Sequence, residues 1–170
     1  KTVVSGSEDK SIRIWDCETG KEINKLLGHE EAVWSVAISP NGKLVFSGSD
    51  DKTLRIWDKE SGNEMAKILD HTSSINAVAC SLDGKTIISG SFDKTIKTWD
   101  IDLNKEIKPI LGHGDSITSI SWNHDGTRVL SGSHDKTARI WDAKTGKEII
   151  KLSGHGNAVT SVGWSPDGKY

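Results

Sequence analysis

The chain has 170 residues, 34% of them hydrophobic and 27% charged, and its 22 basic and 24 acidic side chains leave a net charge of −2. No apolar run approaches the ~18 residues that cross a bilayer, and the N-terminus lacks the basic-then-apolar layout of a secretory signal. Mixed charge offers no basic stripe to a phosphate backbone, so neither membrane nor nucleic acid is the expected partner.

The chain opens in a short apolar stretch, Thr2 to Gly6, and reaches a first Trp-Asp pair at Trp15-Asp16. From Ala32 to Ser39 apolar residues alternate with small or polar ones, and Pro40-Asn41-Gly42 then turns the chain. Proline presets one dihedral and Asn-Gly tolerates positive φ, which is a hairpin signal. Leu44 to Gly48 follows, then a tight turn at Asp50-Asp51-Lys52, a third strand from Thr53 to Asp58, and a turn containing Gly62. A fourth stretch, Glu64 to Leu69, precedes His71, where the cycle restarts. No segment carries a helical period, so four short antiparallel strands make up each cycle.

The cycle is strict. Trp15-Asp16, Trp57-Asp58, Trp99-Asp100 and Trp141-Asp142 are spaced by 42 residues, as are His29, His71, His113 and His155. The Ser-Gly-Ser triplets beginning at Ser5, Ser47, Ser89 and Ser131 keep the same spacing. Four periods account for all but Lys169 and Tyr170, which reads as one domain, residues 1–170, without a linker.

Gly-His, an apolar strand, Ser-Pro-Asp-Gly, Ser-Gly-Ser-x-Asp-Lys-Thr and Ile-x-Ile-Trp-Asp, repeated in register, resemble the WD-repeat β-propeller family over the whole chain. The resemblance implies an all-β ring of four-stranded antiparallel blades, the first strand of each nearest a central channel and the fourth on the rim. It also implies a non-catalytic scaffold that binds proteins or peptides around the channel mouth, or a recognition segment of a larger multidomain signalling protein. No cofactor is expected.

Ten of the 42 columns are identical in all four copies: those of Ser5, Gly6, Ser7, Asp9, Lys10, Trp15, Asp16, Glu22, His29 and Gly42. Ser, His and Asp in one repeat invite a hydrolase reading. An enzyme needs one such constellation, whereas here four equal ones occur, each with a tryptophan. Because strands reverse at every hairpin, the Asp51 turn and the His29 connection lie at the same end of a blade. The resemblance implies a buried hydrogen-bonded chain from tryptophan through serine and histidine to aspartate. Its members would be His29, Ser47, Asp51 and Trp57; His71, Ser89, Asp93 and Trp99; His113, Ser131, Asp135 and Trp141. Such a chain suits the donor and acceptor inventory of the four side chains.

His155 has no downstream partners; those of its column are Ser5, Asp9 and Trp15 at the head of the chain. One blade is therefore expected to be split between the termini. Three closures satisfy it: Ala158 to Ser165 pairing with Thr2 to Gly6 of the same chain, a homodimer forming an eight-bladed ring, or a longer propeller of which this is a piece. Trp34, Trp122 and Trp164 would crowd a four-bladed ring, which favours the two-chain form.

Variable columns on an exposed end are where specificity resides. The residue before the aspartate is Glu8, Asp50, Phe92 or His134, and the residue five after the histidine is Trp34, Asn76, Thr118 or Thr160. Carboxylates beside aromatics suit a basic peptide, with Trp34 or Phe92 as anchor. No His or Cys pair has zinc-ligand spacing. Cys17 and Cys80 are too few for a disulfide framework and read as ordinary residues of a reducing, intracellular, cytoplasmic compartment. Asp70, Leu82, Thr98, Asn104, Pro109 and His124 depart from the pattern, so the second and third blades are expected to be less regular.

Overall fold

The computed structural model describes residues 1–101 and 105–165. Its first sheet holds β1 (Thr2–Gly6), β2 (Ile12–Asp16) and β3 (Glu22–Leu26). The second holds β4 (Val33–Ile38), β5 (Leu44–Ser49), β6 (Leu54–Asp58) and β7 (Glu64–Ile68). The third holds β8 (Ile75–Cys80), β9 (Thr86–Ser91), β10 (Thr95–Asp100) and β11 (Lys105–Leu111). The fourth holds β12 (Ile117–Trp122), β13 (Arg128–Ser133), β14 (Thr137–Asp142) and β15 (Glu148–Ser153). Every pairing is antiparallel between consecutive strands.

The turns explain why short strands form. Gly42 takes φ 71° and its N–H returns to the Ser39 carbonyl at 2.8 Å, closing the β4–β5 hairpin. At the next hairpin a lysine, not a glycine, adopts the left-handed conformation, with φ between 67° and 73° at Lys10, Lys52, Lys94 and Lys136. The preceding aspartate compensates that strain. Asp51 Oδ1 accepts from both the Thr53 N–H (2.9 Å) and the Thr53 hydroxyl (2.6 Å), which locks the turn.

Adjacent sheets pack face to face, and β4, β8 and β12 run side by side at the inner edge. The core fills the gaps between sheets. Between the first and second lie Ile12, Ile14 and Leu26 against Val33, Val45 and Trp57. Between the second and third lie Phe46, Leu54 and Ile56 against Ile75, Val78, Ile87 and Trp99. The next gap holds Ile88, Ile96 and Ile110 against Ile117, Val129 and Trp141. The second and third sheets thus bury both faces, and Trp57, Trp99 and Trp141 each serve the gap before their own sheet.

Residues 158–165 lie beside β12 in the place an inner strand would take. The Val159 N–H donates to the Ser133 carbonyl at 2.9 Å, as Val33 does to Ser7 at 3.0 Å three repeats earlier. Among the described residues, β1 pairs with β2 and no strand pairs with 158–165.

Among the described residues, the expected irregularity of the middle repeats is not seen. Register shifts recur at one column in every sheet, between Ile14 and Trp15, Ile56 and Trp57, Thr98 and Trp99, and Ile140 and Trp141. Thr98 keeps its place because it is buried like the isoleucines it replaces. Pro109 pairs with Lys97 on the outer strand β11, where a missing donor costs little. Asn104, Pro166, Gly168, Lys169 and Tyr170 lie outside the described residues.

Candidate functional site

Three polar quartets are built alike. Trp57 Nε1 donates to Ser47 Oγ at 2.8 Å, His29 Nε2 lies 2.7 Å from that oxygen, and His29 Nδ1 lies 2.8 Å from Asp51 Oδ2. The corresponding distances are 2.9, 2.8 and 2.7 Å for Trp99, Ser89, His71 and Asp93. They are 2.7, 2.7 and 2.8 Å for Trp141, Ser131, His113 and Asp135. Indole can only donate and carboxylate only accept, so the serine hydroxyl donates to Nε2 and the neutral imidazole donates from Nδ1. Every member then has its partner, as a buried polar chain requires.

Burial works to raise the Asp51 carboxyl, but hydrogen bonds from His29, Thr53 and the Glu30 N–H outweigh it and hold it well below the usual carboxylate range. Asp93 and Asp135 are depressed in the same way. For His113 burial wins and lowers its pKa, although Asp135 pulls the other way.

The fourth set is divided. Trp15 Nε1 donates to Ser5 Oγ at 2.8 Å, while Asp9 Oδ1 takes the Ser11 hydroxyl, which with the Ser11 N–H brings its pKa down to about 2. His155 is exposed at the far end of the described chain.

The quartets extend beyond what the sequence suggested. Arg55 Nη2 reaches Asp51 Oδ2 at 3.3 Å and its Nη1 reaches Glu64 at 2.7 Å; Arg139 does the same with Asp135 (3.1 Å) and Glu148 (2.8 Å). Arg13 reaches Glu22 likewise, so among the described side chains Glu22, Glu64 and Glu148 of the invariant glutamate column each hold an arginine nine positions earlier.

Six of the eight variable-column residues line one open cleft of about 430 Å³: Trp34, Asp50, Asn76, Phe92, Thr118 and His134. Glu8 and Thr160 are exposed and do not line it. The turn backbones are tied down, with the N–H groups of Asp50, Phe92 and His134 donating to the carbonyls of Ala32, Ser74 and Ser116 at 2.9 to 3.0 Å. Side chains at these turns therefore project from a fixed base. Trp34 is 49% exposed and Phe92 44%. The His134 ring meets Phe92 edge-on, centroids 6.2 Å apart. Asn76 and Thr118 are occupied differently: Asn76 Nδ2 donates to the Ile117 carbonyl at 3.1 Å and the Thr118 hydroxyl to that of Val159, each tying one inner strand to the next.

A second cleft, about 340 Å³, is lined in part by Ala79, Cys80, Leu82, Trp122 and Trp164. Burial and Asp83 push the Cys80 thiol up to about 11, which leaves it unreactive. Among the described residues no cluster of His, Cys, Asp and Glu could hold a metal, and no helix is long and apolar enough to cross a membrane.

The family model described as "WD domain, G-beta repeat" matches residues 1–16, 20–58, 62–100, 104–142 and 146–170. The chain belongs to the WD-repeat family. Curated relatives are matched over about one repeat each. Autophagy-related protein 16 of Arabidopsis thaliana is 46% identical over 44 residues, 26% of this chain and 9% of that protein. Nuclear distribution protein PAC1 of Mycosarcoma maydis is 51% identical over 41 residues, 24% and 9%. Coronin-7 of Mus musculus is 49% identical over 41 residues, 24% and 4%. The chain thus covers less than a tenth of the length of each of these WD-repeat relatives.

Proposed function

We propose that this WD-repeat chain is a non-catalytic interaction scaffold whose 430 Å³ cleft takes a basic peptide. One observation carries the reading: two half-exposed aromatic rings and a carboxylate from two adjacent repeats converge on one cleft. A lysine or arginine side chain would lie against Trp34 or Phe92, with Asp50 as counter-charge. Cation–π contact contributes about 0.5–2 kcal/mol, depending on how far water is excluded. Asn76 and Thr118 hold the inner strands in register rather than reaching for the ligand.

A catalytic reading has little support. Ser47, Ser89 and Ser131 are fully buried, and each oxygen already receives an indole N–H, so no substrate reaches a hydroxyl. That the relatives are longer than this chain favours a second reading, in which this scaffold is the recognition segment of a larger protein whose chemistry resides elsewhere.

The test is a tryptophan-fluorescence titration with acetylated hexapeptides containing Lys and Arg, against the same peptides with Gln in their place. The basic peptides are expected to bind and the Gln set not. Trp34→Ala and Phe92→Ala should each weaken binding about tenfold, equivalent to about 1.4 kcal/mol, without moving the thermal midpoint. Equal affinity for both peptide sets would overturn the proposal.

A further inference from the structure

Strand β8 starts beside the Trp34 cleft, at Asn76, and leads at its other end into the β8–β9 hairpin. At that opposite end of the sheets the hairpins pack differently at one column. A Cβ on Gly84 would lie 3.4 Å from Pro40 Cδ, so the proline of the β4–β5 hairpin closes over the glycine of the β8–β9 hairpin. One repeat on, Leu82 stands in the place of Pro40 and is 56% exposed, and a Cβ on Gly126 would have nothing within 4 Å. The space left between the β8–β9 and β12–β13 hairpins is a cleft of about 350 Å³, lined in part by Leu82, Asp83, Trp122, His124, Asp125 and Gly126. Trp122 also packs against the core shared by the third and fourth sheets.

Both walls are tied down. The Gly84 N–H returns to the Ser81 carbonyl at 3.0 Å and the Gly126 N–H to that of Asn123 at 3.2 Å. The Ser81 hydroxyl and the Lys85 N–H donate to Asp83 Oδ1 at 2.6 and 3.0 Å, and the Thr127 N–H donates to Asp125 Oδ1 at 2.8 Å. Oδ2 of each exposed aspartate carries none of these bonds. One carboxylate thus stands on each wall, while Lys85 and Arg128, which act on them from outside, do not line the cleft. The Trp122 ring is half-buried, yet its Nε1 is closed to solvent and has no acceptor among the described residues. A buried donor of this kind is a standing cost that an incoming carbonyl removes.

We propose that this cleft docks a proline-rich segment of another protein, with a lysine or arginine beside the proline. The closed gap one repeat earlier shows what fits: a proline ring over the hairpin glycine. A partner's proline takes over Gly126 the place that Pro40 takes over Gly84, flanked by Leu82 and the Trp122 ring. Successive prolines hold the extended polyproline II form, which is already ordered and leaves its carbonyls without partners in its own chain. Aromatic-lined grooves exploit both properties. A small turn of the Trp122 indole gives its N–H one of those carbonyls, and the neighbouring basic side chain lies between Asp83 and Asp125, whose charge it complements. The hairpin comparison carries this inference, and it does not rest on the reading of the Trp34 cleft.

The experiment is an NMR titration that reads the indole N–H signals of the seven tryptophans, with that of Trp122 assigned through Trp122→Phe. The probe is acetyl-Ala-Pro-Pro-Arg-Pro-Pro-Ala-amide, and the control has alanine at every proline and the same charge. The proline peptide is expected to shift the Trp122 signal saturably, and the control to leave it in place. Leu82→Pro fills the slot from within and should weaken binding at Trp122 more than about tenfold, because an occupied pocket excludes its ligand. Its thermal midpoint should hold, since Pro40 already occupies the same turn position. Asp83→Asn with Asp125→Asn should weaken binding about fivefold through lost charge, and Asn41 shows that the column accepts an amide. Shifts confined to Trp34 would overturn this inference while leaving the reading of the other cleft intact. Equal binding of the control at Trp122, or full affinity in a folded Leu82→Pro variant, would overturn it as well.

Discussion

Gly48 and Ile75 approach so closely that a Cβ on the glycine would lie 2.5 Å from Ile75 Cγ2. Gly90 meets Ile117 at the same distance, Gly6 meets Val33 at 2.7 Å and Gly132 meets Val159 at 2.9 Å. The middle residue of every Ser-Gly-Ser triplet is therefore the seam where the next inner strand crosses. Gly48→Ala forces a methyl group into that seam, and overpacking of this kind costs about 1–3 kcal/mol. Urea unfolding should show the loss, and an unchanged midpoint would refute the seam. Gly42→Ala, with nothing within 4 Å, should cost only the strain of its positive φ, about 1 kcal/mol.

Ser47→Ala removes the atom shared by His29 and Trp57. Both are buried, so an indole N–H and an imidazole nitrogen lose their partner, at about 1–3 kcal/mol each. A large drop in thermal midpoint is expected, with the same peptide affinity at temperatures where the variant remains folded. Retained stability would show that the quartet is not a structural element.

Acid should destabilise the fold in two stages. The depressed pKa of His113 means its contribution is complete above the unfolded value of about 6.5 and is lost as pH falls through the folded one. The depressed carboxyls of Asp51, Asp93 and Asp135 contribute fully above about pH 4 and lose that contribution as pH drops further. Unfolding free energy measured from pH 8 to 3 should fall gently below about 6.5 and more steeply below about 4. A maximum near pH 5 would contradict the neutral, donating imidazole.

Asp50→Lys places a cation in the cleft opposite Trp34 and Phe92. Binding of a Lys- and Arg-containing peptide should fall by more than tenfold. The remaining affinity should also depend less on salt than that of the native protein, since an exposed charge pair is screened over about 10 Å at 0.1 M. Undiminished affinity would remove Asp50 from the site.

Much of this architecture could be read from the 42-residue period, because hairpin reversal alone puts the histidine connection and the aspartate turn at one end. The convergence of Trp34, Asp50, Phe92 and His134 on one cleft follows from the same geometry. What escaped were interactions set by the distance between sheets. Asn76 and Thr118 looked like free binding groups, yet their partners are carbonyls 41 residues away on the neighbouring inner strand. The Arg55 bridge between Asp51 and Glu64 was marked only by the constant nine-residue spacing from a basic residue to a glutamate, and it takes the cross-strand register to turn that spacing into a contact. The middle repeats looked irregular from their substitutions, but backbone pairing absorbs a buried threonine or an outer-strand proline with no register shift beyond the one every sheet has at that column.

The glycine seam also bears on how such a chain can change. Since every sheet meets the next through the same glycine and the same β-branched residue, the joint is standardised and does not depend on which repeats flank it. Whole 42-residue units can be duplicated, deleted or exchanged with no new fitting at the boundary, while the turn residues that face the cleft diversify freely. A single bulky substitution at that glycine would instead halt the stacking at its own position.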